Sequence, residues 1–141
     1  MNDIQVVNLE LPWPPSVNNY KVVGRMVTTS NGKLYQQKKN SPETMKFYCD
    51  VHNLVLSLRL KGAFKGSDRV LGVSIGLHPP DNKRRDIDNG IKIILDSLQR
   101  AFLFEDDYYI TRLFVERKDI IKNGLVVVMV YDIGAKENAL A

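Results

Sequence analysis

The chain has 141 residues, of which 44% are hydrophobic and 26% are charged. These values are ordinary for a globular protein and exclude an intrinsically disordered chain, and a domain of this length buries about two-thirds of the surface that its unfolded chain exposes. The net charge of +4 is moderately basic, so it is compatible with nucleic-acid binding without requiring it.

Secretion and membrane insertion are not indicated by the sequence. The single cysteine, Cys49, cannot form an intramolecular disulfide, and the first residues lack the order of a signal peptide. The longest apolar run, residues 125–131, is far shorter than the stretch of about 20 residues that a helix needs to span a bilayer. We therefore expect a soluble, cytoplasmic protein with no membrane partner.

The N-terminal residues predict a strand followed by a rigid loop. Residues 4–11 have the composition of a strand, and the segment Pro12-Trp13-Pro14-Pro15-Ser16 ends it because proline fixes φ and lacks an N–H for the β-ladder. Asn18 and Asn19 follow. They are explained either as a structural turn, which asparagine favours, or as a loop that contacts substrate.

Residues 21–35 predict a hairpin, because short β-branched runs flank a turn that contains Asn31-Gly32. Four basic residues lie on or beside it: Arg25, Lys33, Lys38 and Lys39. Such a basic arm is typical of a phosphate-contacting element, although lysines on an edge hairpin also prevent strand aggregation.

Two amphipathic helices are predicted. The first begins at Ser41-Pro42 with a side-chain cap and proline in the first turn, and runs to about Leu60. Its apolar stripe consists of Phe47, Val51, Leu54, Val55 and Leu58. The second helix begins with Asp88 as its cap and runs to about Phe102. Its stripe consists of Ile91, Ile94, Leu95, Leu98 and Phe102.

Three further strands complete the fold. Residues 69–77 predict a strand with one face of small residues, and residues 108–118 and 125–132 predict two strands joined as a hairpin through Asn123-Gly124. The apolar run in the last of these indicates a central strand. We expect an α/β (α+β) fold, with a small, mixed, largely antiparallel sheet and two helices packed on it, in one domain of residues 1–134. Residues 135–141 are expected to form a flexible tail.

The segment before the second helix carries the groups expected to perform chemistry. The basic triplet Lys83-Arg84-Arg85 directly precedes Asp86 and Asp88, Lys92 follows one turn into the helix, and the acidic cluster 105–107 follows the helix. Asp88 and Lys92 could be only a helix cap and an i,i+4 ion pair, but that explanation does not account for Asp86 or the second acidic cluster. We expect Lys92 to point back toward the two aspartates.

Packed carboxylates beside cationic residues suit a divalent cation and a polyanion. Mg²⁺ is usually held by one or two carboxylates together with waters and phosphate oxygens, and without a cation the carboxylates would repel one another. If the helix returns to the same sheet edge, three carboxylates converge there and could hold one ion, or two for in-line phosphoryl displacement.

Two blocks of residues, taken together, resemble the RusA family of Holliday-junction resolvases. The first is Leu11-Pro12-Trp13-Pro14-Pro15-Ser16 with Asn18-Asn19. The second is Arg84-Arg85-Asp86-Ile87-Asp88-Asn89 with Lys92, Asp96 and Asp106-Asp107. The resemblance covers about residues 5 to 133. It implies a homodimer that cuts four-way junction DNA symmetrically with Mg²⁺ or Mn²⁺ and needs no organic cofactor.

The same resemblance implies roles for particular residues. Asp86, Asp88 and Asp107 would be the metal-binding catalytic carboxylates, and Lys92 would be the catalytic lysine, which stabilises charge developing on the phosphate or the leaving oxygen. The DNA-binding candidates are Lys83, Arg84, Arg85, Asn18, Asn19, Arg25, Lys33, Lys38 and Lys39.

Two other classes of function remain open from the residues alone. One is a nonenzymatic DNA-binding protein, whose acidic residues would only cap helices. The other is a metal-dependent phosphohydrolase acting on a nucleotide, which would show little of the salt dependence of a protein that neutralises several phosphates.

Overall fold

The structure, a computed structural model, describes residues 6–66 and 70–134. Within these residues the strands are β1 (Val6–Leu11), β2 (Lys21–Thr28), β3 (Leu34–Asn40), β4 (Val70–His78), β5 (Ile110–Arg117) and β6 (Leu125–Gly134). The α-helices are α1 (Pro42–Ser57) and α2 (Ile91–Arg100). Residues 4, 5 and 69 of the predicted strands and the predicted tail, residues 135–141, lie outside the described residues.

A mixed four-stranded sheet has the order β1-β6-β4-β5, in which only the β4–β5 pair is parallel. Strand β6 pairs with both β1 and β4, which confirms that the apolar run at 125–131 is a central strand. The small residues of β4 admit close neighbours, as predicted, because a Cβ on Gly72 would lie 2.2 Å from a ring atom of Tyr131. The mixed α+β fold is therefore confirmed.

The core lies between this sheet and the two helices. Val51 and Val55 of α1 and Ile93, Ile94 and Leu98 of α2 are fully buried in one apolar cluster. Alternate residues of the sheet strands complete the cluster: Val7, Leu9, Leu11, Leu71, Val73, Ile75, Leu77, Val126, Val128 and Val130. The packing fixes α2 against the sheet and so fixes the segment that precedes it.

The prediction of a hairpin between the last two strands is wrong. Residues Asn123 and Gly124 do form a tight turn with positive φ angles of 71° and 76°. However, β4 lies between β5 and β6 and pairs with both. The connection crosses the end of β4, where Lys118 N–H donates to the Leu77 carbonyl at 2.7 Å and Ile121 N–H donates to the Pro79 carbonyl at 3.0 Å.

The predicted hairpin of β2 and β3 is confirmed, and it forms a two-stranded sheet of its own. It begins directly after a short 3-10 helix, Val17–Asn19, that ends the proline-rich loop. No helix in the described part of the chain is long and apolar enough to cross a membrane.

Both helices end earlier than predicted. Helix α1 ends at Ser57, and Leu58 is half-exposed instead of buried. Helix α2 ends at Arg100, and Phe102 is also half-exposed, with a positive φ of 61°. The cause is a similar reversal of the chain direction at each helix end. Leu60 N–H donates to the Val55 carbonyl, and Leu103 N–H donates to the Leu98 carbonyl.

Asp88 does not cap α2, which corrects the prediction. The N-cap is Gly90, without a side-chain bond, and Asp88 contributes its backbone carbonyl, which accepts from Ile91 N–H at 3.2 Å. The Asp88 side chain is exposed. The turn before the helix is closed instead by Asn89 N–H, which donates to the Asp86 carbonyl at 3.1 Å.

Candidate active site

The segment 79–90 connects the carboxyl end of β4 to α2, within the β4–α2–β5 crossover that joins the two parallel strands. Ligands of such units commonly bind beyond the carboxyl ends of the strands. Asp86 and Asp88 lie in this connection with exposed side chains. Neither forms an ion pair within the described residues, so both carboxylates are open to solvent.

The proline-rich loop, residues 12–19, is attached to this turn. Val17 N–H donates to Asn89 Oδ1 at 2.8 Å. A Cβ added to Gly90 would lie 2.7 Å from Pro14 Cγ, so glycine is required for the loop to approach the helix start. The loop and the turn enclose a cavity of about 330 Å³ that includes Trp13, Arg84 and Asp86 in its lining.

Lys92 is held by two acidic side chains, and neither belongs to the Asp86–Asp88 pair. Its Nζ donates to Asp96 Oδ1 at 3.0 Å and lies 3.9 Å from Asp107 Oδ2. The hydrogen bond to Asp96 raises the pKa of Lys92, so the ammonium is retained at neutral pH. Within the described residues Lys92 makes no contact of this kind with Asp86 or Asp88, which differs from the expected direction.

Asp107 comes to Lys92 because of the segment that follows α2. Its N–H donates to Gln99 Oε1 at 3.0 Å, which ties the start of the short helix Asp107–Tyr109 to the last turn of α2. Its neighbour Asp106 instead caps that short helix by accepting from Tyr108 N–H at 2.9 Å. Of the two adjacent acids, Asp107 is therefore the one beside the lysine.

Two tyrosines lie behind Asp96. Tyr20 donates its hydroxyl proton to Asp96 Oδ2 at 2.5 Å, and its oxygen lies 3.0 Å from the hydroxyl of Tyr48. Since Tyr20 uses its own proton on the carboxylate, Tyr48 must donate to Tyr20. Burial, together with the bond to Asp96, raises the pKa of Tyr20 far above its ordinary value, and burial also raises the pKa of Tyr48. Both phenols remain protonated.

Arg85 is held in place, in contrast to its two basic neighbours. Its Nη1 donates to Asp81 Oδ1 at 2.7 Å, its guanidinium carbon lies 5.8 Å from the centre of the Trp13 ring, and its carbonyl accepts from Arg117. The bond from Arg85 lowers the pKa of Asp81 to about 2. Lys83 and Arg84 are exposed.

The remaining DNA-binding candidates are all on the surface. Arg25, Lys33, Lys38 and Lys39 are exposed on or beside the β2–β3 hairpin, and Asn18 and Asn19 are exposed on the short helix that precedes it. The hairpin follows Tyr20 directly, so this basic arm begins beside the carboxylate and lysine cluster.

The structure does not bring the three predicted carboxylates into a preformed metal cage. Among residues 6–66 and 70–134, no three acidic, histidine or cysteine side chains lie close enough together to hold a metal ion. The donor chemistry nevertheless fits Mg²⁺, which accepts one or two carboxylates with waters and phosphate oxygens. Asp86 and Asp88 supply two unpaired carboxylates, and Asp107 is one-third exposed.

Several residues of this site were missed as site residues from the sequence. Asn89 joins the loop to the turn, Asp81 orients Arg85, and Tyr20 and Tyr48 support Asp96. Asp96 had a signal, because it follows Lys92 at helical i,i+4 spacing. The sequence did not reveal the link from the tyrosines to Asp96, since Tyr20 bonds to Asp96 from 76 residues away and Tyr48 bonds to Tyr20 from 28 residues away in the chain.

Comparison with known proteins identifies the family. The sequence model of the family described as Endodeoxyribonuclease RusA matches residues 12–131. The chain belongs to the RusA family. The match includes the proline-rich loop, the turn with Asp86 and Asp88, and the cluster around Lys92.

Individual proteins that are similar to this RusA family member carry the same family name. The protein named Crossover junction endodeoxyribonuclease RusA of Escherichia coli strain K12 is 29% identical over 129 residues, which cover 90% of this chain and 95% of the relative. The protein of the same name from Enterobacteria phage HK97 is 35% identical over 107 residues, 76% of each chain. That of Shigella sonnei is 29% identical over 129 residues.

Proposed function

We propose that this protein is a metal-dependent, structure-specific endodeoxyribonuclease that resolves four-way DNA junctions by paired, symmetric nicks. The observation that carries the proposal is the position of Lys92, in the first turn of the helix that follows Asp86 and Asp88. Its ammonium is bonded to Asp96 and lies beside Asp107. Family membership and the printed names of the relatives support the substrate.

The acidic residues would hold the cation. Asp86 and Asp88 are exposed and unpaired within the described residues, and with Asp107 they would bind Mg²⁺, for which Mn²⁺ would substitute. When bound, the cation would polarise the scissile phosphate and lower the pKa of a water molecule. Oxygen ligands of this type are the donors that both cations prefer.

Lys92 would act on the phosphate itself. A preorganised ammonium in this position stabilises negative charge that develops on the phosphoryl oxygens or on the leaving oxygen, an effect of about 3–4 kcal/mol for a well-placed donor. Its bond to Asp96 keeps the group charged and directed toward the acidic cluster before the substrate arrives.

The basic residues would bind the DNA backbone. Lys83 and Arg84 are exposed beside Asp86, and Arg85 is preorganised by Asp81 and Trp13 for one phosphate. Contacts farther along the arms would come from the hairpin and the short helix before it, through Arg25, Lys33, Lys38, Lys39, Asn18 and Asn19. Phosphate contacts of this kind fix position on the DNA and carry no sequence information.

The proposal includes a homodimer of a single domain, residues 1–134. Paired nicks in a two-fold symmetric junction require two active sites, and a C₂ dimer supplies one site for each cut strand. Light scattering after size-exclusion chromatography should therefore give twice the mass of the 16.1 kDa chain. Because the substrate is DNA, we expect the protein to act in the cytoplasm.

The decisive experiment compares a labelled four-way junction with a linear duplex of matching sequence, in Mg²⁺, in Mn²⁺ and in EDTA, for wild type and Asp88→Asn. Paired nicks in the junction alone, dependent on a divalent cation and lost in the variant, are expected. Asp50→Asn, the same type of change at a side chain of α1 that is 40% exposed, serves as the control and should cleave normally. Tight junction binding without cleavage in any metal would instead establish a nonenzymatic binding protein.

A further inference from the structure

Asp96 uses both oxygens of its carboxylate on two different parts of the fold. Oδ1 accepts from Lys92 Nζ at 3.0 Å, and Oδ2 accepts from the Tyr20 hydroxyl at 2.5 Å. Its side chain is only 19% exposed, in contrast to 66% for Lys92. A partly buried carboxylate thus connects an exposed lysine ammonium to a phenol that belongs to the loop between β1 and β2.

Tyr20 is itself anchored by contacts with α1 that do not involve Lys92. Its carbonyl accepts from Ser41 N–H at 3.1 Å and from Thr44 Oγ1 at 3.0 Å, both at the start of α1. Its hydroxyl accepts from Tyr48, which is 5% exposed and carries the Arg100 guanidinium 4.7 Å above its ring. The Asp96 carboxylate therefore has a fixed orientation.

That orientation matters because a lysine side chain is flexible and its ordering carries an entropic cost. An ordinary exposed i,i+4 ion pair contributes little to stability and does not hold a lysine in one position. Lys46 and Asp50 on α1 form such an ordinary pair, with side chains that are 76% and 40% exposed. The Lys92–Asp96 pair differs because its acid has a second, partly buried partner, Tyr20.

We propose that Asp96 is a positioning residue that holds the Lys92 ammonium beside Asp107, and that Tyr20 fixes the Asp96 carboxylate for this task. The inference rests on the proposed nuclease function and adds two residues outside the predicted site to it. Neither Asp96 nor Tyr20 needs to contact DNA or a metal ion.

A purely structural role for these residues makes a different prediction. If Asp96 only tied α2 to the loop, its loss would lower the free energy of unfolding and would reduce activity whether or not Lys92 were present. A positioning role acts through Lys92 alone, so the loss of Asp96 should have no effect once Lys92 is removed. A double-mutant cycle separates the two roles.

The experiment measures single-turnover cleavage of the junction with enzyme in excess, and junction affinity by gel shift in Ca²⁺, for Asp96→Asn, Lys92→Ala and the double variant. We expect Asp96→Asn to cleave about 10- to 100-fold more slowly, with affinity unchanged within about twofold, since residues that orient a functional group typically contribute this much. The double variant should equal Lys92→Ala. Asp50→Asn is the matched control and should match wild type in both assays.

Tyr20→Phe removes one oxygen and keeps the ring, so it tests the positioning role if Asp96→Asn does not fold. Loss of one hydrogen bond to a carboxylate should slow cleavage about 3- to 10-fold, with unchanged affinity and no further loss in the Lys92→Ala background. Asp96→Glu, which retains the carboxylate, should be more active than Asp96→Asn.

A second readout needs neither metal nor DNA. Relaxation of the ¹⁵N-labelled lysine ammonium groups in the free protein should show Lys92 more ordered than Lys46, and Asp96→Asn should abolish the difference. Equal mobility of the two ammonium groups in wild type, or equal losses from Asp96→Asn with and without Lys92, would overturn the proposal. Failure of wild type to cut any junction would refute the nuclease function instead, and the NMR result would then stand on its own.

Discussion

Replacement of Gly90 by alanine tests the contact between the proline-rich loop and the start of α2. The φ and ψ angles of Gly90 are −107° and 2°, which alanine also adopts, so the backbone is not the obstacle. The obstacle is Pro14, whose Cγ would lie 2.7 Å from the new Cβ. Since carbon atoms pack at about 3.5 Å or more, the loop must move by about 0.8 Å.

Two opposing effects set the size of the change. Overpacking of a buried contact costs about 1–3 kcal/mol, while the loss of glycine from the unfolded chain contributes about 0.4–1 kcal/mol in the other direction. We expect Gly90→Ala to lower the free energy of unfolding by about 1–2 kcal/mol in urea titrations. The displacement would also strain the bond from Val17 to Asn89, and a shift near 1 Å can slow cleavage about 100-fold.

Two further variants make the test specific to the contact. Gly76→Ala should be tolerated, because the nearest atom to its Cβ is 3.3 Å away on the flexible Lys118 side chain. Pro14→Ala removes the obstructing ring, so Gly90→Ala should cost nothing in that background. An unchanged or raised unfolding midpoint for Gly90→Ala alone, or an equal cost with and without Pro14, would refute the reasoning.

Three other predictions address chemistry, packing and charge. Lys92→Ala should slow junction cleavage about 100- to 1,000-fold with little change in affinity by gel shift; equal losses in both would make it a phosphate anchor. Leu98→Ala should lower the free energy of unfolding by about 2–5 kcal/mol because the side chain is fully buried. Leu56 is 45% exposed, so Leu56→Ala should change the free energy of unfolding by less than about 0.5 kcal/mol. Similar unfolding midpoints for the two variants would contradict the packing. The pKa of Asp81 is lowered from 3.8 to about 2, so its pairing with Arg85 should be complete above pH 3.8 and lost as pH falls through about 2; a ¹³C carboxyl titration midpoint near 3.8 would contradict this.

The strands and helices were predictable where local chemistry decides them. Ser41-Pro42 caps and starts α1 as expected, and the apolar run of β6 is central. The helix ends were not predictable, because the left-handed position after each helix is occupied by Arg59 and Phe102 instead of the usual glycine. Nothing in those side chains distinguishes a helix end from another turn of helix.

The pairing of the last strands could not be read from the turn between them. Asn123-Gly124 adopts the expected turn geometry, but turn geometry fixes only the local chain direction. Strand β4 is largely buried on both faces and bonds to a neighbour on each edge, so it separates β5 from β6. Such long-range competition for a buried strand is a property of the whole sheet.

The predicted site likewise has a part that the local sequence determines and a part that depends on the tertiary structure. The sequence identified Asp86, Asp88 and Lys92 as neighbours, because they lie within seven consecutive residues. It directed Lys92 toward Asp86 and Asp88, whereas the structure pairs Lys92 with Asp96, one helical turn away, and with Asp107, which only the tertiary structure brings near. The segment after α2 brings Asp107 to Lys92, and Tyr20, which precedes the helix in the chain, bonds to the second oxygen of Asp96.

The two contacts of Lys92 differ in a way that bears on how the site would receive its substrate. The 3.0 Å bond to Asp96 is a hydrogen bond, whereas the 3.9 Å approach to Asp107 is only an electrostatic contact. Lys92 can therefore release Asp107 without losing the group that orients it. In the proposed reaction, Asp107 would then be free to join Asp86 and Asp88 around a cation, while the ammonium turns to the incoming phosphate. Without Asp96, the movement of Asp107 from Lys92 to the cation would leave Lys92 without an acidic partner to orient it.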